Sequence, residues 1–229
     1  MNRAKQFAVT MARFKELYAD RSDYEVIVVE DAKNTQDEHL HQGLLDVIAA
    51  YPEQRIRHIA YDVHPCYNPA GMFNLGRRTA SGTHIVLTNP EITHESDVLA
   101  GFDKHFEEFP NQYVVCTCKS HEAIAPWYVH VEHRPEPLHF CSCMSMPVYD
   151  SVGGFDEHFI AGIACEDTDF VRQILFLGIR ITIAPELIVF HQAHDRSYQL
   201  NRNEWMRLRT INGQILAANS AARGQRHER

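Results

Sequence analysis

The sequence predicts an α/β domain with a mainly parallel central sheet that is flanked by helices. Two observations support this prediction. Segments with helical periodicity alternate with short apolar runs, which is the order that βαβ units produce. The chain also has 229 residues, of which 45% are hydrophobic, so it is long enough to bury a large core and too apolar to be disordered.

The first half of the chain alternates helix and strand. Residues 3–20 place Phe7, Met11 and Phe14 at spacings of three and four, which predicts an amphipathic helix. Residues 24–30 form an apolar run that is typical of a strand buried on both faces of a parallel sheet. The same reasoning predicts helices at 38–50 and 72–80 and strands at 55–61 and 84–87.

The second half is less regular. We predict strands at residues 112–118, 127–131, 179–184 and 187–190. We predict helices at residues 145–152, 166–177 and 201–221, the last with Trp205, Leu208 and Ile215 on its apolar side. Gly178 follows the second of these helices at the position where a left-handed residue ends many helices. We therefore expect one domain over residues 1–195 and a basic C-terminal helix and tail over 196–229.

The charge of the chain is negative overall and uneven. The net charge of -8 argues against a general nucleic-acid binder. Residues 196–229 nevertheless hold seven arginines and two glutamates. This basic end is either a solvated helix or a surface that contacts an anionic membrane, acceptor or partner. Because no run of 18 apolar residues and no signal-peptide pattern is visible, we expect a cytoplasmic protein, with peripheral membrane contact through the basic helix as one alternative.

The six cysteines include two pairs with C-x-C spacing, Cys116 with Cys118 and Cys141 with Cys143. On a strand this spacing places both sulfurs of a pair on one face. Structural zinc sites more often separate paired cysteines by two to four residues. Buried free thiols, a zinc site and a disulfide all stay open, and free thiols are the interpretation that the spacing favours.

Acidic residues follow two predicted strands. Glu30 and Asp31 end the first strand, and Asn89-Pro90-Glu91 follows the strand at 84–87. In an open α/β sheet, ligands bind outside the carboxyl ends of the strands. Carboxylates there accept hydrogen bonds from ribose hydroxyls or base N–H groups, and Glu91 also offers an oxygen ligand to a divalent cation. The alternative is that both segments are ordinary turns, since Asp and Asn-Pro favour turns.

A third segment combines a glycine pair, clustered acids and a late histidine. Glu166, Asp167 and Asp169 crowd the first turn of the predicted helix, where the helix dipole favours negative charge. Three carboxylates exceed what a helix end needs, and their repulsion raises the pKa of one of them toward the range of a general base. His191 ends a predicted strand, where a histidine is more often structural than a ligand.

The order of these motifs resembles the family 2 glycosyltransferases of the GT-A fold over about residues 2–195. That family shows a strand ending in two acids, an N-x-G-x-x-x-A-x-G helix, a metal motif after a strand, GGFDE, an E-D-x-D helix and a late histidine. The matching positions here are Glu30-Asp31, Asn74 with Gly76, Ala80 and Gly82, Asn89-Pro90-Glu91, Gly153 to Glu157, Glu166 to Asp169, and His191.

The resemblance implies an inverting glycosyltransferase that uses a nucleotide-sugar donor. It implies that the donor is contacted by Glu30, Asp31, Asn74, Arg77, Arg78 and Asn89. It implies that Glu91 and His191 bind Mn²⁺ or Mg²⁺, that Asp167 is the catalytic base and that Glu166 helps to bind the acceptor. The acceptor would be a saccharide, a lipid-linked molecule or a protein.

The chain departs from the family pattern in three ways. The apolar first strand that opens the family pattern has no counterpart, because the sequence starts at the position that follows it. Asn89 and Glu91 stand where two aspartates are usual. The Q-x-x-R-W motif of processive members is absent, so transfer of a single sugar is expected. Two alternatives stay open: a degenerate, non-catalytic binding module of this fold, and a nucleotidyltransferase, although its Gly- and Lys-rich phosphate loop is not visible.

Overall fold

The computed structural model describes residues 3–63, 68–122, 125–129, 136, 140–194 and 200–227. The helices are α1 (Ala4–Leu17), α2 (Ala32–Thr35), α3 (Glu38–Ala50), α4 (Ala70–Thr79), α5 (Val98–Glu108), α6 (Met146–Val152), α7 (Glu166–Phe176) and α8 (Arg202–His227). The strands are β1 (Val26–Asp31), β2 (Ile56–Tyr61), β3 (His84–Thr88), β4 (Ile92–His94), β5 (Gln112–Glu122), β6 (Ala125–Val129), β7 (Cys141–Ser145) and β8 (Arg180–His191). The predicted α/β class is confirmed.

The strands of the described chain form two sheets. β1 and β2 pair in parallel as a two-stranded sheet. The second sheet has six strands in the order β3-β7-β5-β8-β4, with β6 beside β5. Within it β5 and β8 are parallel, whereas β7 runs antiparallel to both β3 and β5. The sheet is therefore mixed rather than mainly parallel, because β7 enters between two strands that share a direction.

The two sheets face each other across a cleft of about 1160 Å³. All residues of β1 and β3 line this cleft. The other edge of each strand is paired, that of β1 with β2 and that of β3 with β7. The sequence predicts β1 to be buried on both faces, but Val26 to Val29 are only partly buried, because one edge opens on this cleft. The open edges of β1 and β3 therefore both border this cleft.

Alternate residues of β5 divide the core of the larger sheet into two layers. Tyr113 packs on one face with α6 and α7, where the rings of Phe155 and Phe170 stack at 4.2 Å. Val114 packs on the other face with α5, through Phe102. Burying each such side chain contributes about 1.5–3 kcal/mol, so both faces of the sheet stabilise the fold.

Both C-x-C pairs lie in this second layer as buried free thiols. Cys165 is also free, and Cys66 lies outside the described residues. A hydrogen bond from the Cys116 thiol, aided by the nearby His94, lowers the pKa of Cys141 to about 5 against the opposing effect of burial. Among the described cysteines, then, none forms a disulfide.

The basic C-terminal helix α8 packs on the domain rather than standing apart from it. Leu208 is buried, and the Asn212 amide donates to the carbonyl oxygens of Phe159 and Ala164 at 2.9 and 2.7 Å. Trp205 lies on the predicted apolar side of the helix, but it is exposed. Among the helices of the described chain, none has the length and apolar character to cross a bilayer.

Candidate active site

Four of the residues that the sequence predicts for the site lie around the cleft. Glu30 and Asp31 line it from the carboxyl end of β1, and Asn89 and Glu91 line it from the segment after β3. These residues are about 60 positions apart in the chain. The two strand ends bring them together, as expected for the carboxyl edge of an α/β sheet.

Glu91 is buried, and two histidines and an arginine lie around its carboxylate. Its Oε1 atom lies 3.8 Å from His191 Nε2 and 3.5 Å from His194 Nε2. Its Oε2 atom lies 3.7 Å from Arg3 Nε. The antiparallel pairing of β4 with β8 creates this cluster, because it sets His191 opposite Ile92, the neighbour of Glu91.

His194 is a member of this cluster that the sequence analysis missed. It follows His191 by three residues, and an H-x-x-H spacing beside a predicted metal ligand is the pattern that points to it. Its side chain reaches Glu91 from the segment just after β8.

The Glu91 cluster fits a divalent cation. One carboxylate oxygen and two imidazole nitrogens lie within 4.8 Å of one another. Mg²⁺ prefers oxygen ligands only, whereas Mn²⁺ and later transition metals accept imidazole nitrogen. The donor set is therefore one that Mn²⁺ and later transition metals accept.

Asn74 and Arg78 contact the GGFDE segment, and Arg77 contacts α6 just before it, instead of the cluster around Glu91. The Asn74 amide donates to the Phe155 carbonyl oxygen and accepts from the Phe155 N–H, both at 2.9 Å. Arg77 forms a two-pronged ion pair with Asp150 at 3.1 and 2.6 Å. These contacts hold α6 and the loop after it against α4, and a role for the three residues in donor binding stays a prediction.

The first turn of α7 holds the second predicted group of acids. Asn68 Nδ2 donates to Glu166 Oε2 at 2.5 Å, and burial together with the charge of Asp167 raises the pKa of Glu166 to about 7. Asp167 Oδ1 accepts from the Thr168 N–H at 2.7 Å. Asp169 is paired with Arg223 of α8. The carboxylates thus divide between a pair at the helix end, Glu166 and Asp167, and a structural ion pair.

Solved glycosyltransferases share this arrangement of helices and sheets. The mannosyltransferase PcManGT from Pyrobaculum calidifontis, in complex with GDP-Man and Mn²⁺, matches with a TM-score of 0.62 and 15% identity over 85% of this chain. TarS from S. aureus, in complex with UDP-GlcNAc, matches with a TM-score of 0.63 and 11% identity over 90% of this chain. This chain has the GT-A fold.

A further structure with this GT-A fold is GalNAc-T7 with UDP, GalNAc and Mn²⁺, at a TM-score of 0.59 and 12% identity over 84% of this chain. The chain spans 55% of PcManGT, 62% of the TarS chain and 42% of GalNAc-T7. No protein family matches the chain by sequence, and neither does any curated protein.

The raised pKa of Glu166 predicts how the stability of this GT-A domain depends on pH. The folded state keeps the Glu166 proton up to about pH 7, whereas the unfolded chain loses it near 4.5. This group therefore stabilises the fold fully below pH 4.5, and its contribution is lost as the pH rises to about 7.

Urea unfolding of the wild type and of Glu166→Gln at several pH values tests this prediction. We expect the difference in unfolding free energy between the two proteins to change across the interval. The exposed Glu107→Gln serves as the control. Its unfolding free energy should differ from that of the wild type by the same amount at every pH. A difference between wild type and Glu166→Gln that is the same at every pH would contradict the prediction.

Proposed function

We propose that this GT-A domain transfers a single sugar from a nucleotide-diphosphate sugar to an acceptor hydroxyl, with inversion. The observation that carries the proposal is the convergence of Asp31, Asn89 and Glu91 on one cleft at the strand ends, with two histidines beside Glu91. The neighbours in fold support it, since PcManGT is in complex with GDP-Man and TarS with UDP-GlcNAc.

Glu91, His191 and His194 are the residues that would hold the divalent metal, for which we propose Mn²⁺. When bound, such an ion neutralises the charge that grows on a leaving diphosphate. Arg3 lies beside the same carboxylate, so its guanidinium adds positive charge on the side of the cleft where a diphosphate would sit.

The donor contacts come from both sides of the cleft. We propose that Asp31 accepts hydrogen bonds from the nucleoside and that Asn89 contacts the ribose. Arg77 and Arg78 are candidates for the diphosphate or the sugar. Both now pair with partly exposed carboxylates, Asp150 and Glu157, and a more highly charged diphosphate would compete for the same guanidinium groups.

The acceptor is activated at the first turn of α7. We propose that Asp167 removes the proton from the acceptor hydroxyl while the oxygen attacks the anomeric carbon on the face opposite the diphosphate. One displacement of this kind inverts the anomeric centre. Glu166 lies next to this base and would bind the acceptor through a hydrogen bond. With a pKa of about 7, it carries a proton in part of the molecules near neutral pH.

Calorimetric titration of the protein with UDP-, GDP- and TDP-linked sugars, with and without Mn²⁺, tests the proposal. We expect binding to one nucleotide class that strengthens with Mn²⁺ and weakens at least about tenfold in Glu91→Gln, since even second-layer changes at metal sites cost 10- to 100-fold. Glu95→Gln is the matched control, because Glu95 lies in the same segment but is exposed. Equal donor affinity in Glu91→Gln and the wild type would refute the metal role of Glu91.

The open cleft favours a second candidate function, a binding module without turnover. Two strand edges of six and five residues face each other there, and apolar side chains such as Phe7, Leu44 and Phe102 line the space between them. An extended apolar segment pairs with such edges by adding a strand. Failure to bind any of the nucleotide sugars at millimolar concentration would favour this module over the transferase.

The acceptor class and the location of the protein remain predictions. A saccharide, a lipid-linked molecule and a protein all offer the hydroxyl that the reaction needs. α8 exposes Arg207 and Arg209 on a surface that anionic headgroups could contact, which keeps a peripheral membrane contact and a lipid-linked acceptor among the proposals. A cytoplasmic location is proposed from the sequence alone.

A further inference from the structure

A second cluster of metal-binding side chains lies beside the cleft, on the two-stranded sheet. Its members are Glu30 at the end of β1, His58 on β2 and His41 on α3. We propose that these three residues form a metal site, distinct from the Glu91 cluster, that binds Zn²⁺. The proposal does not depend on the transfer reaction, because it concerns a different set of ligands.

The fold brings the three side chains together by strand register and helix placement. The parallel pairing sets His58 opposite Val28, two residues before Glu30 on the same strand. Side chains two residues apart share a face of a sheet, so Glu30 and His58 point to the same side. α3 follows β1 and covers that side, and its first turns place His41 there.

The three side chains already lie close enough together to bind one metal ion. Glu30 Oε2 lies 2.8 Å from both His41 Nδ1 and His58 Nε2, and the three ligand atoms lie within 4.8 Å of one another. The Glu30 side chain is only 2% exposed, whereas the His41 and His58 side chains are 34% and 21% exposed. Solvent therefore reaches the site on the side of the two imidazoles, whereas the carboxylate forms its buried side.

The donor set, one carboxylate and two imidazoles as in the Glu91 cluster, suits transition metals, and zinc is among them. Two imidazole nitrogens and one carboxylate oxygen are a common protein ligand set for zinc, which then takes water as its fourth ligand. Without a metal, each imidazole must place a proton on the nitrogen that faces Glu30. Zn²⁺ would instead take the lone pairs of those nitrogens, so the nitrogens that face Glu30 would have to be free of protons for the metal to bind.

A metal at this place would stabilise the smaller of the two sheets. β1 and β2 form a two-stranded sheet, and such a sheet is marginally stable by itself. The outer edge of β1 also opens on the cleft. Zn²⁺ held by Glu30, His58 and His41 would join β1, β2 and α3 at one point, and it would leave Asp31 as the acidic residue of this strand end that can meet the donor.

Zinc titration of the chelator-treated full chain tests the proposal, with binding followed by calorimetry and unfolding followed by circular dichroism. We expect His41→Ala and His58→Ala each to bind about one zinc equivalent fewer than the wild type and to lose much of the rise in Tm that zinc produces. His39→Ala is the matched control, because His39 lies on α3 two residues before His41 but is exposed.

Two further comparisons separate loss of this site from loss of the other cluster and from a failure to fold. Glu91→Gln removes a ligand of the other cluster, so it should retain the zinc equivalent that His41→Ala loses. If His58→Ala does not fold, His41→Ala still tests the site, because His41 is the most exposed of the three ligands. Zinc binding in His41→Ala equal to that in His39→Ala would overturn the proposal, whatever the result for donor binding.

Discussion

Replacement of Asp167 by asparagine is expected to lower turnover by about 10²–10⁴-fold, the usual contribution of a general base. Asparagine keeps the oxygen that accepts from the Thr168 N–H, so the first turn of α7 should keep its shape. It cannot take a proton from the acceptor hydroxyl. The measurement is kcat with the nucleotide sugar that binds and an acceptor that it glycosylates, together with the donor affinity, which should not change.

The variant Glu166→Gln tests whether Asp167 or its neighbour Glu166 is the base. We expect this variant to raise the acceptor KM more than it lowers kcat, because Glu166 is proposed to bind the acceptor. Asp46→Asn, an exposed change on α3, is the control for loss of a carboxylate elsewhere. A loss of less than about tenfold in Asp167→Asn, with a larger loss in Glu166→Gln, would assign the base to Glu166 instead.

Replacement of Arg223 by alanine is expected to lower the free energy of unfolding by about 3–5 kcal/mol, the cost of breaking a buried ion pair from one side. Arg223 Nη2 lies 2.5 Å from Asp169 Oδ1, and the two side chains are only 14% and 8% exposed. Without the guanidinium, the Asp169 carboxylate stays buried with its charge uncompensated. Urea unfolding measures the effect, which should also loosen α8 from α7.

Arg207→Ala is the matched control on the same helix. Arg207 pairs with Glu204 at 2.8 Å, but its side chain is 58% exposed, so its loss should cost about 0–1 kcal/mol. The double variant Arg223→Ala, Asp169→Asn should recover part of the lost stability, because it removes the buried charge as well. If Arg223→Ala is no more destabilising than Arg207→Ala, the ion pair does not hold α8 in place.

One helix beyond those predicted, α5, also has a clear local pattern in the sequence. α5 was not predicted, although Val98, Phe102 and Phe106 recur every four residues and are all buried in the structure. Asp97 precedes them and caps the helix by accepting from the Ala100 N–H. β4 is only three residues long, which is too short for an alternating pattern to predict it.

Long-range contacts explain the other differences. Residues 179–184 and 187–190 were predicted as two strands, but β8 is continuous, because its pairing with β5 resumes after a register shift around Pro185 and Glu186. The mixed direction of the larger sheet likewise follows from where β7 inserts. A local sequence pattern predicts neither feature, since both depend on pairing partners that are far away in the chain.

The sequence by itself determined the α/β class, most helices and strands, and the order of motifs that resembles a GT-A glycosyltransferase. It did so because periodicity and turn residues act within a few positions, so a single sequence displays them. Only the tertiary structure decided which side chains meet. His194 joins Glu91 through the pairing of β4 with β8, and His41 and His58 join Glu30 through the pairing of β1 with β2 and the packing of α3. Such ligand sets depend on strand register and helix placement between distant segments, which local sequence patterns do not encode.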